Sequence, residues 1–259
     1  MIFLDLGLQP LANKYLNLNQ KKEREIKFRL LLDFNLKTKI VSIKKTFSSK
    51  KMFNNKYPYR SSMSETMKES FLKLSNKLKK KYKHKKILEI GCNDGAFLKN
   101  FDNNYSLGIE PCKNIANLAR KKKIKVISDY WNTSLSNKIK KKHGKFNIVY
   151  SANTITHIKN LDNVFSAIKN ILEADGIIIM EDPSLLECIR KNTYDQFYNQ
   201  HLYVFSLIAL SKFLKKHKLR IFKVDKLKVH GGSNRYFICK DQSKMKIDKS
   251  VDNLRKEEM

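Results

Sequence analysis

The run Tyr194-Asp-Gln-Phe-Tyr-Asn-Gln-His201 holds the residues that say most about chemistry. A histidine titrates near neutrality, so His201 can take a proton at physiological pH. Tyr198 stands three residues earlier and would share a face with it if the segment were helical. Its hydroxyl could donate to an oxygen on which negative charge develops. Gln200 directly precedes the histidine; an amide there can orient the ring but cannot supply the charge that strengthens a base. Such a set can remove an acidified proton and stabilise the anion left behind. Taken singly, Tyr198 and His201 also read as a packed aromatic and a core histidine, and His157 as a loop residue.

A second informative stretch is Glu89-Ile-Gly-Cys-Asn-Asp-Gly95, which follows an apolar strand and is expected to open a helix over 95–101. Gly91 lets the backbone turn and approach a ligand, and Gly95 allows close packing where the helix begins. Asn93 and Asp94 lie between them. About twenty residues after the loop opens, Leu107-Gly-Ile-Glu-Pro111 ends the next strand with a carboxylate, Glu110, placed to accept both hydroxyls of a ribose, with Pro111 beside it. The loop lacks the Gly-x-Gly-x-x-Gly of pyrophosphate binders, so a nucleoside cofactor without phosphates, S-adenosylmethionine, fits better than a nicotinamide dinucleotide. Asp129 and Tyr130, after the third strand, are expected near the adenine. Ser151 and Asn153, after the fourth, are expected at the methionine end.

The elements that must position these groups alternate. Helix periodicity covers 63–83, with Met63, Met67, Phe71, Leu74 and Leu78 at spacings of three and four. Strands are expected at 87–90, 105–109, 125–127, 147–151 and 176–180, the last apolar throughout and buried on both faces. Helices are expected at 114–120, 161–172 and 206–217. Strands over 220–229 and 235–240 close the pattern as a hairpin about Gly231-Gly232-Ser233. This predicts an α/β domain over 63–240 with a seven-stranded, mostly parallel sheet ending in an antiparallel hairpin, the Rossmann-like layout of class I S-adenosylmethionine-dependent methyltransferases. Residues 1–62 read as a small irregular segment and 241–259 as a loose polar tail.

With these motifs in place, the chain resembles the sugar C-methyltransferases that methylate carbon 3 of thymidine-diphosphate-linked 4-keto-deoxysugars. The resemblance rests on Asp5-Leu-Gly-Leu-Gln-Pro-Leu-Ala-Asn13, Tyr57-Pro-Tyr-Arg-Ser-Ser-Met-Ser64, the two cofactor motifs, Asn153 to His157, Glu181-Asp-Pro183, Tyr194 to His201 and His230-Gly-Gly-Ser-Asn-Arg235. It implies a base, His201, that forms an enolate beside the keto group, with Tyr198 and His157 as oxyanion donors. It also implies substrate contacts from Tyr57, Tyr59, His230 and Arg235. The family's zinc cysteines are missing: Asn35-Leu-Lys-Thr38 stands where Cys-x-x-Cys is expected, so no zinc is expected. The family's closing domain is absent too, which leaves room for a separate chain to supply it. The carboxylate before the base is Gln200 here.

Composition narrows the alternatives. The 259 residues are 41% hydrophobic, enough for a sizeable core. No apolar run is long enough for a membrane helix, and the N-terminus has no basic, then apolar, leader. Cys92, Cys112, Cys188 and Cys239 are scattered, as fits a reducing cytosol. The net charge of +30 invites a nucleic-acid reading, but only eight of the 54 basic residues are Arg, the better base and phosphate reader. Solvated lysine runs such as Lys79 to Lys81 and Lys140 to Lys142 are the simpler account. A methyltransferase acting on another small molecule or on RNA, and a catalytically weakened relative, stand as the competing expectations.

Overall fold

The structure, a computed structural model, describes residues 1–20, 22 and 25–259. Its strands are β1 (Ile2–Pro10), β2 (Lys27–Phe34), β3 (Val41–Ile43), β4 (Ile87–Ile90), β5 (Ser106–Ile109), β6 (Val126–Ile127), β7 (Phe146–Ala152), β8 (Leu172–Pro183), β9 (Tyr203–Val204), β10 (Leu219–Leu227) and β11 (Ser233–Lys240). Its helices are α1 (Ser49–Met52), α2 (Glu65–Lys81), α3 (Lys113–Lys121), α4 (Thr133–His143), α5 (Leu161–Ile171), α6 (Leu185–Lys191), α7 (Leu207–Lys216) and α8 (Lys249–Glu258).

Seven strands form the central sheet in the order β10-β11-β8-β7-β4-β5-β6. The pairs within β8-β7-β4-β5-β6 are parallel, and β11 runs antiparallel between β8 and β10. This is the class I S-adenosylmethionine-dependent methyltransferase fold expected from the alternation of elements. Successive side chains of a strand point to opposite faces. Ile87, Ile148 and Ile177 therefore meet Met67, Phe71, Leu74 and Leu78 of α2 on one side. Leu88, Val149 and Ile178 meet α4, α5, α7 and α8 on the other. α2 begins where the Ser64 hydroxyl accepts the Met67 N–H. Each of its four large apolar side chains, all buried, contributes roughly 1.5–3 kcal/mol of transfer free energy.

Three expectations about the elements are corrected. Residues 1–62 are not irregular: β1, β2 and β3 form an antiparallel sheet that β9, from far along the chain, completes. Phe28, Leu30 and Leu32 alternate with more exposed residues and pack on Ile43 and Leu202 in a small core of their own. The tail is not loose either. α8 buries Val251 and Leu254, and Glu258 accepts the N–H groups of Leu207 and Ile208 at the start of α7. The expected helix over 95–101 is only a turn, ending in a 3-10 segment at Leu98–Asn100. There the Asn100 amide takes the carbonyls of Ala96 and Phe97, which a continuing helix would offer to backbone N–H groups. α4, which the alternation did not single out, lies between β6 and β7.

Candidate active site

The strand order reverses at β4, whose neighbours are β5 and β7, and a crevice opens beyond the carboxyl ends of these strands. It is a cleft of about 1020 Å³. One wall carries Glu89, Gly91, Asn93, Glu110, Pro111, Asp129, Tyr130 and Asn153; the other carries Tyr57, Tyr59, His157, Tyr198, His201 and His230. Sequence motifs far apart in the chain thus meet in one cavity.

On the first wall, the Glu110 carboxylate accepts the backbone N–H groups of Asn93 (3.0 Å) and Cys112 (2.9 Å), which fixes its orientation. Burial raises its pKa, and the two N–H bonds oppose that rise. Glu89 is buried with Oε2 unpartnered. Burial, and then the neighbouring Glu110, push its carboxyl well above the usual range. The Asn153 Oδ1 is also buried without a donor, and Asn153 holds a left-handed φ of 48°. Gly91 has φ of +73°, and a Cβ there would lie 2.1 Å from the Thr154 hydroxyl. Two unsatisfied acceptors, an oriented carboxylate and a glycine turn fit a ligand with an ammonium at one end and a ribose in its middle. S-adenosylmethionine has that arrangement.

Several expected cofactor residues do other work. Asp94 takes the Ser62 N–H and hydroxyl and pairs with Lys122. Asn93, besides lining the cleft, accepts the Ser61 N–H and donates to the Tyr59 carbonyl. Together they hold the 59–62 loop over the site. Gly95 is a packing glycine, since a Cβ there would meet the Ile124 side chain at 2.2 Å. Ser151 is buried and bridges β7 to the Ile90 carbonyl without lining the cleft.

On the second wall, His201 Nδ1 lies 2.7 Å from the Gln196 carbonyl, and its Nε2 lies 2.9 Å from the Tyr198 hydroxyl. A carbonyl can only accept, so Nδ1 carries the proton of the neutral ring and Nε2 presents its lone pair, held by the tyrosine O–H. The Tyr198–His201 pair is brought together by a tight turn, not a helix face. Burial lowers the His201 pKa to about 4; the Gln196 bond acts the other way, and His230 adds to the depression. His157 stacks on His201, with ring centroids 5.2 Å apart and planes at 24°. Burial, and then His201, hold His157 well below the ordinary histidine value, and its Nε2 has no partner. His230, at φ of 51°, also buries an unpartnered Nε2 in the cleft.

Two expected roles on this wall are corrected. Arg235 does not line the cleft: its Nε is 2.7 Å from Glu181 in a buried ion pair on β11, and it also reaches Ser70. Gln200 does not orient the His201 ring, a task done by the Gln196 carbonyl; its amide faces Ala12 and Asn13 instead. The sequence reading also missed Phe53, which stacks on His157 at 5.3 Å and 18° and whose carbonyl takes the Tyr130 hydroxyl at 2.7 Å. Phe53 sits in Lys-Lys-Met-Phe-Asn-Asn, where no periodicity marks it.

Comparison with known proteins bears on this arrangement. A family model described as a methyltransferase domain matches residues 59–224. C-methyltransferase NovU of Streptomyces niveus is 30% identical over 149 residues, 57% of this chain and 36% of that protein. The chain thus spans about a third of that relative's length. Among solved structures, magnesium protoporphyrin IX methyltransferase of Synechocystis PCC 6803 with bound SAH superposes with a TM-score of 0.52 at 12% identity, covering 67% of this chain and 83% of that one. An S-adenosylmethionine-dependent methyltransferase of Clostridium acetobutylicum ATCC 824 gives 0.50 at 14% identity, covering 69% and 93%. At these identities the likeness to solved structures is one of fold. Among the described residues, no three His, Cys, Asp or Glu gather as a metal site, and no helix is long and apolar enough to cross a membrane.

Proposed function

Since the chain belongs to the methyltransferase-domain family and is an S-adenosylmethionine-dependent methyltransferase, we propose that it methylates a carbon beside the keto group of a nucleotide-linked deoxysugar. The observation that carries this reading is the Tyr198–His201 pair, a neutral imidazole and a phenol in contact in the cofactor's cleft. A transfer to oxygen or nitrogen needs at most removal of a proton from a polar group. A transfer to carbon needs a base together with donors for the enolate oxygen, and a neutral imidazole beside a phenol supports that reading. The name of the Streptomyces relative points the same way.

When bound, the cofactor supplies an electrophilic methyl on a sulfonium. Glu110 would take the ribose hydroxyls, Glu89 and Asn153 the methionine ammonium, and Asp129 and Tyr130 the adenine. Tyr57, Tyr59 and His230 would contact the sugar. The protein's own chemistry falls to His201, whose Nε2 receives the α-proton. That lone pair is held by the Tyr198 hydroxyl, so Tyr198 must turn its O–H to the substrate carbonyl as the proton leaves. This movement couples the freeing of the base to stabilisation of the oxyanion. His157, with its free Nε2, is the second donor. Losing one such donor costs about 10²–10³ in rate.

The test is incubation with methyl-labelled cofactor and a panel of nucleotide-linked 4-keto sugars in deuterated water. Label on a sugar carbon, with deuterium exchange at the α-carbon that His201→Ala abolishes, supports the proposal. Neither exchange nor methylation across the panel, or full exchange in His201→Ala, overturns it.

A further inference from the structure

The turn that carries the base is fastened to the N-terminal sheet by its two middle residues, both buried. Asn199 Oδ1 accepts the Ala12 N–H at 2.8 Å, and its amide nitrogen lies 3.3 Å from the Met52 sulfur. The Gln200 Nε2 donates to the Ala12 carbonyl at 3.3 Å, while its Oε1 accepts from the Asn13 amide at 2.9 Å and the Tyr57 hydroxyl at 3.4 Å. Both backbone groups of Ala12 and the side chain of Asn13 are therefore held by residues adjoining Tyr198 and His201. Asn13 itself sits at φ of +59°, a conformation that asparagine tolerates better than most residues. Immediately beyond the base, β9 pairs with β3 and seals the same sheet onto this turn.

We propose that Asn13 and Gln200 are positioning residues for the base: their bond clamps the N-terminal sheet to the 198–201 turn and so sets where Tyr198 and His201 stand. This rests on His201 being the base. The clamp needs an amide at position 200, because the side chain must donate to a carbonyl with one atom and accept with the other. An ionised carboxylate would turn an oxygen toward the Ala12 carbonyl and break the bond. Gln200→Glu is therefore expected to slow proton transfer, the reverse of what a charge-supplying role would predict.

Three variants test the proposal: Gln200→Glu, Gln200→Leu and Asn13→Gly. The last removes the donor while relieving the left-handed backbone, so it avoids adding strain. Cofactor affinity by calorimetry should stay at the wild-type value in all three, and in Asn13→Gly, which leaves the Gln200–Tyr57 bond in place, so should the KM for the keto sugar. The kcat for α-carbon exchange should fall by roughly tenfold or more, since a small displacement of a reacting group is costly. Amide hydrogen exchange over 198–203 should rise in all three. Wild-type kcat and wild-type amide protection in Asn13→Gly would overturn the clamp. If the wild-type protein exchanges no α-proton on any keto sugar, the base reading fails on its own account. Amide protection then decides the clamp: faster exchange in the variants supports it, and unchanged exchange ends it.

Discussion

At the scale of single residues, two groups carry sharp expectations. Glu110 is oriented by two backbone N–H groups, so its substitution loosens the 91–95 loop and, under the proposed function, also removes the acceptor for the ribose. Glu110→Ala should weaken cofactor binding by about 1.5–3 kcal/mol, the range for hydrogen bonds to a charged group, as read by calorimetry. Glu110→Gln, which keeps one acceptor for the loop, should lose less. His201 is drawn by burial from the ordinary 6.5 to about 4. The acidic limb of the pH–rate profile for α-carbon exchange should therefore lie near 4, with the base competent through neutrality. The same shift has a stability sign. The folded value is below the unfolded one, so the contribution is complete above about 6.5 and is lost as pH falls toward about 4. Melting temperature should drop over that window, and drop less in His201→Gln.

At the scale of elements, the two ends of the chain are structural parts of the enzyme. α8 places Glu258 against the first turn of α7, where its carboxylate satisfies two N–H groups with no partner in their own helix. Glu258→Ala should lower stability by about 1–2 kcal/mol in denaturant titration, as for loss of a helix cap. The four-stranded N-terminal sheet is held by an apolar core of Phe28, Leu30, Leu32, Ile43 and Leu202. A chelator should therefore leave the melting temperature unchanged, in contrast to small domains whose folding depends on metal. The alternation of Phe28, Leu30 and Leu32 was a legible strand signal. The last strand of that sheet was not legible, because two residues, Tyr203 and Val204, show no period and gain strand geometry only by pairing with Ser42 and Val41.

At the scale of the whole molecule, the chain carries a charge of +30 while the lining of the cleft is mainly acidic. The C-terminal turns of the helices are basic, with Lys79 to Lys81 on α2, Arg120 and Lys121 on α3 and Lys140 to Lys142 on α4. Cations at those turns also suit the helix dipoles. The cleft itself is lined by the acidic side chains of Glu89, Glu110, Asp129 and Asp195 and, among the described residues, by the single lysine Lys50. That lining suits a cationic cofactor and offers a long polyanion no row of cations. RNA should bind weakly, lose affinity steeply as salt rises, and leave cofactor affinity unchanged when added in excess at moderate ionic strength. Competition between RNA and cofactor would contradict this reading of the lining.

The sequence by itself determined the sheet and the placing of the glycine loop beside Glu110, because both are written locally. Apolar runs such as Ile177 to Met180 have to be buried strands, and a glycine loop after one strand with an acid after the next needs only adjacent strands to converge. Tertiary structure decided the rest, because it depends on partners that local pattern cannot name. Gln200 reads as a neighbour of His201, yet its amide bonds Ala12 and Asn13, which lie 188 and 187 residues away. The ring of His201 is set by a backbone carbonyl that any residue at position 196 could provide. Arg235 looked like a substrate residue until β11 paired with β8 and brought it to Glu181. A buried polar group must find its hydrogen bonds wherever the fold provides them, and which groups those are is fixed only when the chain closes on itself.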